Sequence, residues 1–318
     1  MVRPSLLGFC HVPNPKTCRY LYFFIHNPKT AGTSLLKVLK TQIYFHKCLR
    51  INPPRDQHPK EFLEQAPQLL ATVSQKRLAG LSVIGGHFAH GVHAGTVEAP
   101  KYITVLRQPV ERVVSEYYFM KQLGFFHQKE IEAHNLSLTD YLAHPETRYL
   151  NNLQTRLVSG IPYAKRDMVD EEIYQVALAN LHRMEAVGLT ERFADSLAIF
   201  YDRLGWPRLP IWVAANSNSQ KPATSEHTEE EIEAVRQRER WDLAIYAEAE
   251  RIFEHHWQER AEKYQKLSKK IASPSKWRAL QLQGVSYGIR GWNKMFRPTT
   301  QDTLRGVVGG DTGHRTLP

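Results

Sequence analysis

Cysteine is scarce in this chain. Cys10, Cys18 and Cys48 are spread over 318 positions. An odd number without Cys-x-x-Cys spacing argues against a disulfide framework and a zinc knuckle. Long hydrophobic runs are missing too, since no apolar stretch approaches the ~20 residues that span a bilayer. The first residues lack the charged region, apolar core and cleavage site of a secretory leader, so a cytoplasmic location is the expectation. Nothing repeats along the chain. The pattern Gly-x-x-x-x-Gly-Lys-Ser/Thr is absent, which removes the usual signature of a nucleoside-triphosphate site. Acidic residues are in deficit, 32 against 42 Lys and Arg, for a formal charge of +10. That surplus favours an anionic ligand (phosphorylated cofactor, acidic glycan, nucleic acid or anionic membrane) without choosing among them.

What is present is an ordinary globular composition, 42% hydrophobic and 23% charged, long enough for one large α/β domain or two small ones. The chain is organised around Tyr20 to Lys40, YLYFFIHNPKTAGTSLLKVLK. The apolar run Leu21 to Ile25 predicts a strand buried on both faces. Asn27-Pro28 ends it. Leu35, Leu36 and Leu39 then recur at helical spacing, and Thr33 or Ser34 is placed to cap the helix. A helix N-terminus attracts anions through its unpaired N–H groups and its dipole. Gly32 lets the backbone approach a ligand, Lys29 adds a full charge, and Thr30, Thr33 and Ser34 offer hydroxyls. The plain alternative is a strand-to-helix turn with a solvated lysine.

Two further strands are predicted to end in chemistry. Leu81 to Ile84 stops at Gly85-Gly86, and His87 follows. Lys101 to Leu106 stops at Arg107, after which Pro109 sits at the first position of a helix. Val110, Val113, Val114, Tyr117 and Tyr118 give that helix its apolar face. Ligands bind beyond the carboxyl ends of parallel strands, so three such ends support one site. A histidine titrating near neutrality suits proton removal from a hydroxyl. A guanidinium matches phosphate geometry, and Ser115 lies about two turns along the same helix. Against this, Arg107 can simply pair with Glu111, Ser115 can bond back to its helix, and His87 can serve a loop carbonyl. His87, His90 and His93 also invite a zinc reading, which Gly91, Gly95 and the lack of a nearby carboxylate disfavour.

The segments PKTAGTSL and YITVLRQPVERVVSEYYF resemble the cofactor-binding segments of sulfotransferases that use PAPS (3'-phosphoadenosine 5'-phosphosulfate). The glycan-type branch with the heparan sulfate 2-O- and 6-O-sulfotransferases is the most similar. The resemblance implies an α/β, P-loop-type parallel sheet flanked by helices, with a helical substrate-side insertion. It implies that Lys29, Thr30, Ala31, Gly32, Thr33 and Ser34 hold the 5'-phosphosulfate and that Arg107 and Ser115 hold the 3'-phosphate. His87 would be the catalytic base, and Lys29 would also serve the leaving group. No metal is implied. Gln108 stands where the family often has Asp, and Gly85 where the 2-O type has a second histidine; His90 or His93 could take that place. NNLQTR (Asn151 to Arg156), GLTERF (Gly188 to Phe193), NSNSQKP (Asn216 to Pro222) and the Asp242-x-x-Ile245-Tyr246 helix keep the family's order. Lys221 sits where a loop commonly closes over the nucleotide. Arg156 and Gln154 are candidates to orient substrate or cofactor.

The remaining expectations are coarse. Residues 1–19 read as a lead-in, 20–270 as the main domain and 271–318 as a C-terminal extension, with Trp277 to Phe296 a docking segment. Residues 44–66 read as a surface excursion with one short helix near Lys60 to Gln65, followed by a helix from Gln68 to Ala79. Helices are expected over Asp170 to His182, Phe193 to Leu204 and Asp242 to Lys269, a strand over Glu185 to Leu189, and a capped helix start at Thr228/Glu231. The expected function is sulfuryl transfer from PAPS to a hydroxyl of a glycan or glycoconjugate, with no nucleic-acid partner. Rival readings are a kinase-like nucleotide enzyme and a non-catalytic basic module binding acidic glycan or nucleic acid.

Overall fold

The computed structural model describes residues 20–43, 47–54, 57–123, 136–212, 227–273 and 303–304. The chain is α/β, with an all-parallel sheet flanked by helices. In chain order the main strands are β1 (Tyr22–Ile25), β2 (Cys48–Ile51), β3 (Val83–Gly86), β4 (Lys101–Leu106) and β5 (Ala186–Leu189). Across the sheet they run β5-β4-β1-β3-β2, and the two-residue β6 (Thr303–Leu304) adds beside β2. β1 pairs with β3 on one side and β4 on the other, Ile25 lying opposite Gly86 and Thr104. Every residue of β1, β3 and β5 is buried, as expected for strands covered on both faces.

The order positions the site. From β1 the chain passes through α1 (Gly32–Gln42) to one side of the sheet, whereas β4 leads outward to β5 on the other. Connections that part in this way open a crevice at the carboxyl ends of the strands, here between β1 and β4. α4 (Pro109–Leu123) follows β4 directly. The long crossover to β5 carries α5 (Leu138–Ala143), a 3-10 turn (Pro145–Leu150), α6 (Leu153–Ser159) and α7 (Glu171–His182). After β5 come α8 (Phe193–Arg203), α9 (Glu229–Arg238), α10 (Arg240–Glu259) and α11 (Ala261–Ala272).

Several expectations need correction. The excursion over 44–66 contains β2, whose half-buried alternation is too short to read, and α2 (Pro59–Ala71) runs straight through Pro67. The helix expected over Gln68 to Ala79 is instead the end of α2 plus α3 (Gln75–Ala79), which Ser74 caps with a bond from Arg77 N–H. The single helix over Asp242 to Lys269 is two, broken at Arg260. The Thr228/Glu231 capping box forms as expected. Among the described residues no helix is long and apolar enough to cross a membrane. Trp277 to Phe296 lie outside the described residues.

Candidate functional site

The turn after β1 is shaped by two left-handed residues, Lys29 (φ 66°) and Ala31 (φ 59°). Side chains rarely adopt that conformation, and such strain concentrates at functional sites. Turns of this kind aim successive N–H groups into an anion-sized concavity. Ala31 is the residue that caps α1, and it offers no side-chain bond. Neither Thr33 nor Ser34 caps the helix, contrary to expectation; both lie inside its first turn. The N–H groups of Ser34 and Leu35 bond to Ala31 O at 2.9 and 3.1 Å. Those of Gly32 and Thr33 have no partner among the described residues, and the same holds for the Thr33 and Ser34 hydroxyls. Thr30 differs. It is fully buried, and its hydroxyl donates to Asn27 O at 2.9 Å, closing the turn from inside. Lys29 Nζ rests 3.8 Å from the centre of the Phe119 ring on α4.

Arg107 stands beside this turn. Its Nη1 donates to Lys29 O at 3.1 Å and its Nη2 to Glu111 at 3.3 Å, so the expected Glu111 pair exists alongside the contact with the Lys29 turn. Burial lowers the guanidinium's pKa, with Glu111 and Glu191 acting in the opposite direction. The backbone of Arg107 is gripped by one amide: Gln154 Oε1 accepts from its N–H and Gln154 Nε2 donates to its carbonyl, both at 2.9 Å. Gln108 Oε1 accepts from Glu111 N–H at 2.9 Å, at the start of α4. Glu191 takes the Gln108 N–H and the Tyr246 hydroxyl. Ser115 is half-buried on α4. Its hydroxyl has no hydrogen-bond partner among the described residues.

Gln154 is itself held by reciprocal caps between α6 and α10. Asp242 accepts from Gln154 N–H and from the N–H and hydroxyl of Thr155, while Asn152 Oδ1 accepts from the N–H groups of Trp241 and Asp242. Beneath them Arg112, 0% exposed, pairs with Glu116, Glu239 and Asp242. Burial, outweighing Arg112, raises the Glu239 carboxyl to about 8. Arg156 is not available to a ligand. Its guanidinium donates to the carbonyls of Ile161, Arg166 and Asp167 and lies over Tyr163, so it organises the 161–167 loop.

On the far side of β1, His87 N–H donates to Ile51 O at 3.0 Å. Its Nδ1 lies 3.0 Å from His26 O. A carbonyl only accepts, so Nδ1 carries the proton and Nε2 keeps its lone pair. Burial, with the Arg50 charge, lowers the His87 pKa to about 4 against the one carbonyl bond that raises it. The near-neutral titration expected from sequence is therefore not found in this state. His87 is a neutral imidazole. Its neighbour is neither His90 nor His93 but His26, stacked on it with ring centres 4.3 Å apart. His90 and His93 gather separately around Tyr102, whose hydroxyl lies 2.8 Å from His93 Nδ1. No group of three metal-ligating side chains occurs among the described residues.

Sequence reasoning missed His26, Phe119 and the Arg112 cluster. His26 sits within the opening stretch, at the end of the apolar run, but its partner is 61 positions away. Lys221 and the NSNSQKP segment lie outside the described residues. Two open clefts, around Arg260 and Lys263 and around His58 and Tyr163, touch none of Lys29, His87 or Arg107, so the site is assigned by its chemistry. No protein-family model and no curated protein matches the chain.

Proposed function

We propose that the chain is a PAPS-dependent O-sulfotransferase acting on a hydroxyl of a glycan or glycoconjugate. The observation that carries this reading is the convergence at one sheet edge of the left-handed Lys29–Ala31 turn, the Arg107 guanidinium bonded to that turn, and the neutral His87. The strand order, with β1 central and the anion turn directly after it, is compatible with a P-loop-type sheet, and α5 to α7 would be the substrate-side insertion. The segment resemblances supply the choice of PAPS.

The residues fit such a donor. Lys29 to Ser34 would hold the 5'-phosphosulfate, Arg107 and Ser115 the 3'-phosphate, and Lys221 is assigned by resemblance alone. PAPS supplies a sulfuryl group on a phosphate leaving group. As the acceptor oxygen bonds sulfur, its proton passes to His87 Nε2. The sulfur–oxygen bond to the 5'-phosphate breaks, and its electron pair leaves on that oxygen. Lys29, moved off Phe119, faces the charge growing there and favours the transition state over the ground state. Burial keeps His87 in the form that can accept a proton. The two anionic groups of the donor would then raise its basicity.

Calorimetric titration with PAP, the desulfated product, without Mg²⁺ tests the reading. Micromolar binding is expected, lost in Arg107→Ala and weakened in Lys29→Ala. His87→Ala should retain PAP binding and lose about 100-fold or more in turnover. Binding of ATP only with Mg²⁺, and none of PAP, would transfer the site to phosphoryl chemistry. Salt-sensitive binding of acidic polymers with no nucleotide binding would favour a non-catalytic basic module.

A further inference from the structure

The Phe24, His26 and His87 rings form a column at the carboxyl edge of the sheet. Phe24 and His26 are 5.7 Å apart at 14°, and His26 and His87 4.3 Å apart at 23°. The middle ring is buried, and its Nδ1 has no hydrogen-bond partner among the described residues. A buried imidazole nitrogen left in this way is costly, so its place in the column needs a reason. The opposite edge of the same ring lies against the first residue of α1: a Cβ on Gly32 would fall 1.8 Å from His26 Cδ2 and 2.2 Å from Nε2. His26 therefore touches the candidate base through its ring face and its carbonyl, and the anion loop through its ring edge.

We propose that His26 is a positioning residue for His87. Its carbonyl fixes the tautomer that leaves Nε2 unprotonated, its ring face sets the plane of the His87 ring, and its edge contact with Gly32 fixes the distance from base to anion loop. The proposal deepens the sulfotransferase reading and rests on it for the reaction served, but the geometry stands without it. A platform of this kind acts in the reaction as well as in the resting state. When His87 becomes an imidazolium, the face of a neutral aromatic ring stabilises it. Two protonated rings 4.3 Å apart would repel each other, so the pair carries one positive charge at most. The charged group from the neighbouring strand is Arg50 on β2, and it opposes protonation of both rings.

The test uses the full chain and nitrogen-detected NMR of the His87 ring, with His26→Leu and His26→Phe beside the unaltered protein. Phe keeps both the aromatic face and the backbone carbonyl; Leu removes the face. In the unaltered protein and in His26→Phe, His87 should carry its proton on Nδ1 and stay neutral to below pH 5. In His26→Leu, which keeps the carbonyl and loses the face, the proton should stay on Nδ1 while the His87 titration moves further down, because the imidazolium has lost its aromatic support. A His26 that only fills space would change melting temperature and leave these signals alone, which would overturn the proposal. So would ordinary titration of His87 in the unaltered protein. If PAP binds, kcat should fall about tenfold or more in His26→Leu with PAP affinity within about twofold, and recover in His26→Phe. Loss of turnover in His26→Phe with unchanged His87 signals would make His26 a proton carrier instead. Absence of PAP binding with the NMR pattern intact would overturn the assigned reaction and leave the positioning role standing.

Discussion

Arg107 and His87 flank the same turn, one following β4 and the other β3, yet they are held by different kinds of chemistry. The Arg107 side is held mainly by hydrogen bonds. Gln154 grips the backbone, Glu191 and Gln108 hold the start of α4, and the α6–α10 caps anchor Gln154 above a buried ion cluster. The His87 side is a column of rings in which buried nitrogen is left unpaired. A hydrogen-bonded network fixes geometry through the direction of its bonds. A desolvated pair of imidazoles fixes protonation instead, since neither ring can take a charge cheaply. The first arrangement suits holding a permanent anion, and the second keeps an imidazole neutral with a lone pair free.

The largest effect separating the two sides should come from Arg112→Leu, which leaves Glu116, Glu239 and Asp242 buried without their cation. Denaturant unfolding should show a loss of about 3–5 kcal/mol, whereas His26→Phe should leave stability nearly unchanged. Glu239 gives the next contrast. Its folded value of about 8 lies above the ordinary glutamate value of about 4.3. The folded state therefore holds a proton that the unfolded state has lost, and stability falls as pH rises through that window, by no more than about 1.4 kcal/mol per pH unit. Glu239→Gln should flatten the curve; an unchanged slope would show that Glu239 is not the group responsible.

On the other side, Gly32→Ala should cost about 1–3 kcal/mol by forcing the His26 ring away, and it should disturb His87 signals before those of Arg107. Gln154→Leu is expected to have a smaller effect on stability, about 1–2 kcal/mol for two hydrogen bonds at a partly wetted strand end. Its effect on PAP affinity should be larger than that of Gly32→Ala. The reverse order in the calorimeter would break the division of labour.

Much of the fold is legible in the sequence because its signals are local. The strand-turn-helix at Tyr22 to Gln42, the strand ending at Leu106 and the capping box at Thr228 each follow from residues within a few positions; β3 is legible only in part, since it runs Val83–Gly86 through the two glycines expected to end it. β2 is not legible, since Leu49 and Ile51 alone mark it. Arg112 and Glu116 are missed for a related reason. At i, i+4 on a helix they look like a solvated pair, and only Glu239 and Asp242, more than a hundred positions later, make burial tolerable. The site divides in the same way: Lys29, Arg107 and His87 announce themselves at strand ends, while Gln154 and His26 acquire meaning from distant partners.

The two left-handed residues of the turn have a consequence for redesign. Lys29 and Ala31 hold a conformation that glycine adopts freely and that other residues resist by about 1–2 kcal/mol. A procedure ranking substitutions by backbone comfort alone would put glycine at both places, with a gain in melting temperature as its apparent success. At Lys29 that gain would remove the charge that the proposed reaction sets against the leaving oxygen. At Ala31 it would loosen the angle at which the helix presents its first N–H groups. Screening this chain for robustness and screening it for turnover should therefore select opposite residues at the same two positions.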